Sequence, residues 1–203
     1  MTVRSYEVAS LDELDRIPVA HGLEWRPIRR RFDIHAFGCN AYTAEKVGDW
    51  IVEEHTEGTN RHQELYFVVR GRARFTLGGE ELDAPAGTLI FLSDPDVTRV
   101  AVAEEKGTTV LALGARPDAP FTPSAWEWYF EAYARSPREG KEILEDGLRE
   151  VGEHPALLYH LACMEGKLGD KERARVHLER AIELDPVWRE RAEGDEDLEG
   201  VLV

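Results

Sequence analysis

Three prolines fall within the eight residues 116–123, and neither a helix nor a central strand can run through such a segment. The apolar residues on its two sides follow different periods. Before it, short runs of β-branched and aromatic residues alternate with Gly, Pro and Asp turns, which is typical of a sandwich or barrel. After it, apolar residues recur at helical spacing, as at Trp126 and Tyr129. The sequence therefore predicts two domains, residues 1–118 and 119–203.

The first part predicts seven strands, and turns rich in Gly and Pro mark antiparallel connections between them. The approximate bounds of these strands are 24–37, 49–56, 64–77, 80–84, 88–93, 98–103 and 108–114. Ahead of them, Ser10 and Glu13 have the spacing of a capping box, which predicts a short helix that ends by Pro18. The second part predicts four helices with links short enough to make neighbours antiparallel. These helices cover about 124–135, 138–151, 155–167 and 171–184.

Charge and hydropathy exclude several classes of partner. The chain carries 40 acidic and 25 basic residues, and the resulting net charge of -15 repels phosphate backbones and anionic lipids. We therefore expect no nucleic-acid partner and no membrane partner. No apolar run approaches the roughly 18 residues that cross a bilayer, and the start lacks the apolar segment of a signal peptide, which predicts a cytoplasmic protein. Cys39 and Cys163 show no CxxC spacing and are predicted to be reduced, packed thiols.

Small residues and a turn punctuate the segment 155–186 in a pattern that brings two helices close together. The residues that carry this pattern are Leu158, Leu161, Ala162, Gly169, Asp170, Ala174, Ala181 and Pro186. In these positions the segment resembles one tetratricopeptide repeat of about 34 residues. The preceding helix pair, 124–152, has the right length but keeps the small residues poorly, so we interpret it as a degenerate repeat. The resemblance implies a protein or peptide partner, and a segment that only braces the barrel or a dimer is the open alternative.

A second resemblance lies in the first part. Glu64 is followed after six residues by Gly71, Gly48 precedes both, and Pro85-Ala86-Gly87 forms a later turn. In these residues the stretch 48–114 resembles the two motifs of the cupin family of RmlC-like β-barrels. The predicted fold class is therefore an α+β multidomain protein. Its antiparallel cupin β-barrel, a double-stranded β-helix, is followed by an antiparallel α-helical segment of the tetratricopeptide type.

Metal-binding cupins hold their ion with three histidines and the motif glutamate. In this sequence the resemblance places those histidines at Gly58, Asn60 and Thr98. Only Glu64 keeps its type, and one carboxylate with one amide cannot replace the donor set, so we predict no metal and no cofactor. If a metal is present, His62 and Glu64 are the candidate ligands. His55 differs in strand parity from Asn60 and is expected to face away unless a bulge intervenes.

If Glu64 points inward as in the family, the resemblance implies an apolar pocket with a few polar groups, as in small-molecule sites. The predicted ligand-binding residues are Trp50, Glu54, Asn60, His62, Glu64, Tyr66 and Thr98. Burial in such a pocket raises the pKa of Glu64, which makes it the candidate catalytic acid or base. An ion pair with His62, Arg61 or Arg99 gives Glu64 a structural role instead.

Three functions remain open at this point. The preferred one is a metal-poor cupin that binds a small molecule and is coupled to the helical segment. The alternative is an isomerase-like, oxygenase-like or sugar-modifying cupin enzyme that uses Glu64 and His62, and the third is a scaffold whose barrel binds nothing. The opposite face of the same strand carries Leu65, Phe67 and Val69, and a second sheet, the helical segment or another subunit must cover such an apolar face. The cupin resemblance implies pairing through this surface, so we expect a homodimer.

Overall fold

The computed structural model describes residues 6–19 and 22–201. The chain divides into two compact units, Met1–Thr122 and Pro123–Val203. Antiparallel strands dominate the first unit and helices make up the second. The predicted order of an antiparallel β-structure followed by a helical region is therefore confirmed. Within the part of the chain that the structure describes, every helix is too short or too polar to cross a membrane.

The described residues of the first unit form ten strands and two short helices. A one-turn 3-10 helix spans Leu11–Glu13, and the helix α1 spans Ile28–Arg31. The strands are β1 Ile17–Pro18, β2 Leu23–Arg26, β3 Gly38–Ala44, β4 Trp50–His55, β5 Gln63–Arg70, β6 Arg72–Leu77, β7 Glu80–Pro85, β8 Leu89–Leu92, β9 Arg99–Ala103 and β10 Thr109–Ala115.

These strands form two antiparallel sheets with the hydrophobic core between them. One sheet has the strand order β1-β2-β3-β10-β5-β8 and the other has the order β4-β9-β6-β7. Strand β5 shows why the sequence folds this way, because its side chains alternate between the two faces of the sheet. Tyr66 and Val68 lie buried in the core, whereas Leu65 and Phe67 are half-buried on the other face. This alternation fixes which polar residues of β5 face the interior.

The predicted strand over 24–37 is wrong. Strand β2 ends at Arg26 and pairs with β3, and Pro27 follows as the N-cap of helix α1. The missed strand β3 contains Gly38, Asn40 and two alanines, which favour strands weakly, and it is held between β2 and β10 by tertiary pairing. The predicted strand over 64–77 is two strands, because Gly71 has a φ of 74° and makes the turn between β5 and β6.

The N-terminal capping box is confirmed, although the helix is shorter than predicted. The backbone N–H of Ser10 donates to the Glu13 carboxylate, and the Ser10 hydroxyl accepts from the backbone of the helix's first turn. The helix ends at Glu13, and Pro18 lies beyond it in strand β1. The capping box therefore stabilises a single helical turn.

The second unit contains the four predicted helices and one that the sequence did not reveal. Their bounds are α2 Trp126–Tyr133, α3 Pro137–Val151, α4 Pro155–Lys167, α5 Lys171–Leu184 and α6 Val187–Ala192. A 3-10 turn at Glu196–Leu198 follows. The acidic segment that contains this turn is partly packed, because Asp195 accepts a 2.6 Å hydrogen bond from the Tyr159 hydroxyl and Leu198 is buried.

Glycines allow the first helix pair of this unit to pack closely. A Cβ at Gly147 would lie 2.7 Å from Cγ of Trp128, and one at Gly140 would lie 2.7 Å from the carbonyl oxygen of Ala132. Real Cβ atoms do not approach other atoms so closely. The helix α3 therefore meets α2 through glycines, and the buried Trp128 ring fills the space that a side chain at Gly147 would occupy.

Candidate functional site

Six polar side chains gather at the interior of the first unit. They are His55, Glu57, His62, Glu64, Tyr66 and Arg99, and we call them the inner polar cluster. Strands β4, β5 and β9 and the loop between β4 and β5 carry them. The cluster joins both sheets, because β5 belongs to the larger sheet and β4 and β9 belong to the smaller one.

Glu64 and Tyr66 form the part of the cluster that lies on β5. Both follow the inward parity of Val68, and the Tyr66 hydroxyl donates a 2.8 Å hydrogen bond to Oε2 of Glu64. Burial raises the pKa of Glu64, and the hydrogen bond from Tyr66 opposes that shift in part. Burial and the neighbouring Glu64 carboxylate raise the pKa of Tyr66 well above its ordinary value. Tyr66 therefore stays a hydrogen-bond donor at neutral pH.

Arg99 reaches Glu64 from the opposite sheet. It begins strand β9, shares inward parity with Ala101 and Ala103, and is 0% exposed. Its Nε lies 3.5 Å from Oε2 of Glu64. Among the described residues, Nε, Nη1 and Nη2 of Arg99 all lack a hydrogen-bond partner. A buried guanidinium without a hydrogen-bond acceptor lowers the stability of the fold, because each of its N–H donors has lost water and gained no partner.

His55 faces the cluster, because the bulge named in the sequence analysis as the exception to its outward direction is present. The pairing of β4 with β9 is irregular between Val52 and His55, and such an irregularity reverses the parity of the residues that follow it. His55 Nε2 lies 3.7 Å from Oε1 of Glu57 and 3.9 Å from Oε2 of Glu64. Its Nδ1 lies 2.7 Å from the Glu53 carbonyl oxygen. A carbonyl only accepts, so Nδ1 carries the proton of this hydrogen bond.

His62 closes the other side of Glu57. It is buried, its Nδ1 lies 3.3 Å from Oε2 of Glu57, and its ring packs 5.7 Å from the Phe121 ring. Burial lowers the pKa of His62, while the Glu57 carboxylate raises it and Arg116 lowers it further. The Glu57 Oε2 atom is itself buried without a hydrogen-bond partner among the described residues. Among the described residues, the cluster thus contains one buried acceptor, Oε2 of Glu57, and the buried donors of Arg99 that make no hydrogen bond.

The structure brings three of the seven predicted ligand-binding residues together. His62, Glu64 and Tyr66 lie in the inner polar cluster. The other four are exposed to solvent, and these are Trp50, Glu54, Asn60 and Thr98. Asn60 lies in the turn between β4 and β5, and Thr98 precedes β9, so strand parity does not govern either side chain. Ligand binding by these seven residues remains a prediction.

Sequence reasoning missed Glu57 and left Arg99 out of the site. Two small residues provided a signal for Arg99, because Ala101 and Ala103 alternate with it along β9 and mark an inward face. Glu57 gave no such signal, since it lies in a loop. Its position against His55 and His62 depends on how that loop folds back.

The polar atoms of the cluster could hold a metal ion at one point. His55, Glu57 and Glu64 each offer one ligand atom, and these atoms lie within 4.8 Å of one another. Three donors from a half-buried site leave further positions for water or a small molecule. The places that resemble the usual cupin histidines, Gly58 and Asn60, contribute no such donor.

Several solved structures resemble this chain over about half of its length. One is an RmlC-like cupin from Shewanella frigidimarina NCIMB 400, with 20% identity over 56% of this chain and 96% of that chain, and a TM-score of 0.45. Another is KdgF from a Halomonas species, with 22% identity over 51% and 88% of the two chains and a TM-score of 0.43. A sugar phosphate isomerase of the cupin superfamily from Silicibacter pomeroyi DSS-3 has 17% identity over 54% and 76%, and a TM-score of 0.46.

No curated protein matches the chain. One family model does match, and it describes an AraC-like ligand-binding domain over residues 49–183. That range covers about two thirds of the sequence and contains the whole inner polar cluster together with helices α2, α3 and α4. The chain therefore belongs to the family of AraC-like ligand-binding domains.

Proposed function

We propose that the interior of the first unit binds a small polyhydroxylated molecule, and that this binding does not depend on the three-histidine metal site of other cupins. The observation that carries this proposal is the guanidinium of Arg99, which is fully buried in an ion pair with Glu64 but makes no hydrogen bond among the described residues. A buried polar group without a partner in a native protein is explained by water, by strain or by a ligand. Membership in a family of ligand-binding domains favours the ligand.

The chemistry of the unpaired atoms supports the ligand class. Arg99 offers donors only, and the buried Oε2 of Glu57 offers an acceptor only. A hydroxyl group donates one hydrogen bond and accepts two, so a molecule with several hydroxyls satisfies both atoms at once. A simple anion would satisfy Arg99 but would be repelled by the carboxylates of Glu57 and Glu64.

The test replaces Arg99 with methionine, which keeps the length of the side chain and removes the guanidinium. Melting temperatures are measured with a panel of sugars, sugar alcohols and hydroxy acids in the presence of a chelator. We expect at least one polyol to stabilise the wild-type protein. Arg99→Met should bind that polyol at least about tenfold more weakly, since a hydrogen bond to a charged group contributes about 1.5–3 kcal/mol.

Arg74→Met is the matched control. Arg74 lies on the neighbouring strand β6, and its ion pair with Glu104 is at the surface. This variant should bind the polyol as the wild-type protein does. Equal binding by Arg99→Met and the wild-type protein would show that Arg99 does not contact the ligand, and a panel that stabilises neither protein would contradict the ligand class.

A cupin enzyme, either isomerase-like, oxygenase-like or sugar-modifying, is the second candidate. The specific observation in its favour is that burial raises the pKa of Glu64 beside the Tyr66 hydroxyl. A carboxyl group with a raised pKa is suited to transfer protons near neutral pH, and His62, which contacts Glu57 in the same cluster, is a further candidate. Glu64→Gln separates the two functions, because it should abolish turnover of a bound polyol while binding persists.

The helical unit supplies a second part of the proposal, namely a tetratricopeptide-like segment that contacts a partner or braces a dimer. Gly140 and Gly147 precede Ala174 and Ala181 by about 34 residues, the length of such a repeat. The two glycines pack α3 closely against its neighbours, and the two alanines are buried in α5. Both helix pairs therefore have small residues at corresponding positions, which supports two repeats.

The outer face of β5 and β8 supports a homodimer. Leu89 is 63% exposed and Phe91 is 62% exposed, and they flank Phe67 and Leu65 across the pairing of the two strands. Exposed apolar patches of this kind favour association with another protein surface. We expect light scattering to report a dimer for the wild-type protein and a monomer for Phe91→Glu.

A further inference from the structure

His55 is held in one orientation by its own strand. Its Nδ1–H donates to the Glu53 carbonyl oxygen over 2.7 Å, which leaves Nε2 as the free nitrogen of the ring. Histidines that bind metals characteristically donate their other N–H to a carbonyl or a carboxylate, which fixes the ring and its tautomer. His55 therefore has the local hydrogen bonding of a metal ligand before any metal is considered.

The free nitrogen of His55 points at two carboxylates. Nε2 lies 3.7 Å from Oε1 of Glu57 and 3.9 Å from Oε2 of Glu64. In a neutral ring this nitrogen carries a lone pair, so three electron-rich atoms face one another. Zinc-like ions bind such atoms at about 2.0–2.2 Å, which spaces tetrahedral ligands about 3.4 Å apart. The observed spacings need only small side-chain movements to reach that value.

We propose that His55, Glu57 and Glu64 bind a divalent transition-metal ion at the mouth of the first unit. This site does not use Gly58, Asn60 or Thr98, where the cupin resemblance places histidines. In this site the loop carboxylate of Glu57 and the imidazole of His55, at the irregular end of β4, take the place of those histidines. The inference shares Glu57 and Glu64 with the polyol proposal but does not rest on it, because neither Arg99 nor an organic ligand takes part in the coordination.

The donor set restricts the identity of the ion. Imidazole suits zinc, iron, copper and nickel, whereas carboxylates also suit manganese and magnesium. One imidazole with two carboxylates therefore fits Zn²⁺, Fe²⁺ or Mn²⁺ and disfavours Mg²⁺, which binds oxygen ligands and gives up its water reluctantly. Between Zn²⁺ and Mn²⁺, the general order of divalent affinities predicts tighter binding of Zn²⁺. Half-buried ligands leave the ion accessible to exchange and to further ligands from solvent.

The test titrates chelator-treated protein with each metal alone and measures the heat of binding. We expect one equivalent of Zn²⁺ to bind, Mn²⁺ to bind more weakly, and Mg²⁺ to give no signal. His55→Gln should weaken Zn²⁺ binding by more than about tenfold, since even the loss of a group that only orients a ligand costs that much. His35→Gln is the matched control, because His35 is an exposed histidine paired with Asp33.

Glu57→Gln keeps the site testable if His55→Gln fails to fold. It removes one of two neighbouring carboxylates, so it should weaken Zn²⁺ binding without lowering the melting temperature in chelator. Zinc binding that His55→Gln and Glu57→Gln leave unchanged would overturn the site and assign the ion to surface histidines. The absence of any heat with Zn²⁺ and Mn²⁺ would also overturn it.

Arg99→Met separates this inference from the polyol proposal. It leaves all three metal ligands in place, so Zn²⁺ affinity should be retained or increased when the neighbouring positive charge is removed. A protein that binds a polyol but no metal would refute only the cation site. A protein that binds Zn²⁺ through His55 but no polyol would refute only the polyol proposal.

Discussion

His160 makes the stability of the helical unit depend on pH. Its ring packs between aromatic side chains, with centroid distances of 4.5 Å to Tyr129, 5.2 Å to Tyr159 and 6.0 Å to Trp188. The Tyr133 hydroxyl lies 3.2 Å from its Nδ1. The pKa of His160 is lowered to about 4, chiefly by burial among these rings, while Asp195 opposes the shift and Arg191 adds to it. The folded protein therefore holds this ring neutral at pH values where a free histidine is charged.

The magnitude follows from the two pKa values. Below about pH 6.5 the unfolded chain binds a proton at His160, whereas the folded chain does so only near pH 4. Stability is therefore complete above about pH 6.5 and is lost as the pH falls toward 4. One unit of pKa difference corresponds to 1.36 kcal/mol, so His160 alone should cost about 2 kcal/mol between pH 7 and pH 5.

The assay compares the wild-type protein with His160→Phe, which keeps an aromatic ring and removes the titrating group. Urea unfolding followed by far-UV circular dichroism gives the free energy of unfolding at pH 7 and at pH 5. Other groups titrate equally in both proteins, so the wild-type protein should lose about 2 kcal/mol more than the variant. An equal loss in the two proteins would refute the assignment of this pH dependence to His160.

Two further predictions concern packing and thiol chemistry. Gly147→Ala should lower the free energy of unfolding by about 1–3 kcal/mol, because the added Cβ would collide with the Trp128 ring. This cost should exceed the gain from the higher helix propensity of alanine. Gly194→Ala, whose Cβ would meet no atom within 4 Å, should be nearly neutral in the same urea titration. Cys39 and Cys163 should resist a thiol reagent at pH 8 until the protein unfolds, because both side chains are buried. Burial also raises the pKa of Cys163 to about 12, which keeps it a thiol at pH 8. Rapid labelling of Cys163 in the folded protein would contradict this prediction.

The sequence predicted the inward residues of β5 because a regular strand obeys a simple alternation. Glu64, Tyr66 and Val68 share a face in any unbroken strand, and the structure places them together. His55 could not be assigned in the same way. Its direction depends on irregular pairing between β4 and β9, and that irregularity arises from a partner strand more than forty residues away in the chain. Periodicity within β4 contains no information about it.

Loop residues mark the second limit of sequence reasoning. Asn60 was assigned to the inner face by counting from Glu64, but the chain turns between residues 56 and 62 and leaves Asn60 exposed. Glu57 enters the inner polar cluster from the same loop, where counting gives no direction. The chemistry of the cluster therefore depends on loop geometry and on a bulge, and the cupin resemblance predicted only the strand that carries Glu64.

The helical unit shows a case in which residues must be considered in pairs. Ala162 and Ala181 are both buried in the second helix pair, and about 34 residues earlier stand Trp128 and Gly147. Compared one position at a time, Trp128 is a mismatch, and the sequence therefore suggested a degenerate repeat. When both positions are compared together, the larger side chain of Trp128 in place of Ala162 is balanced by the smaller Gly147 in place of Ala181, because the Trp128 ring packs where a Cβ of residue 147 would lie. Close packing depends on the summed volume of the side chains that face each other. The first helix pair therefore also packs closely, although most of this volume comes from the side chain of Trp128 alone.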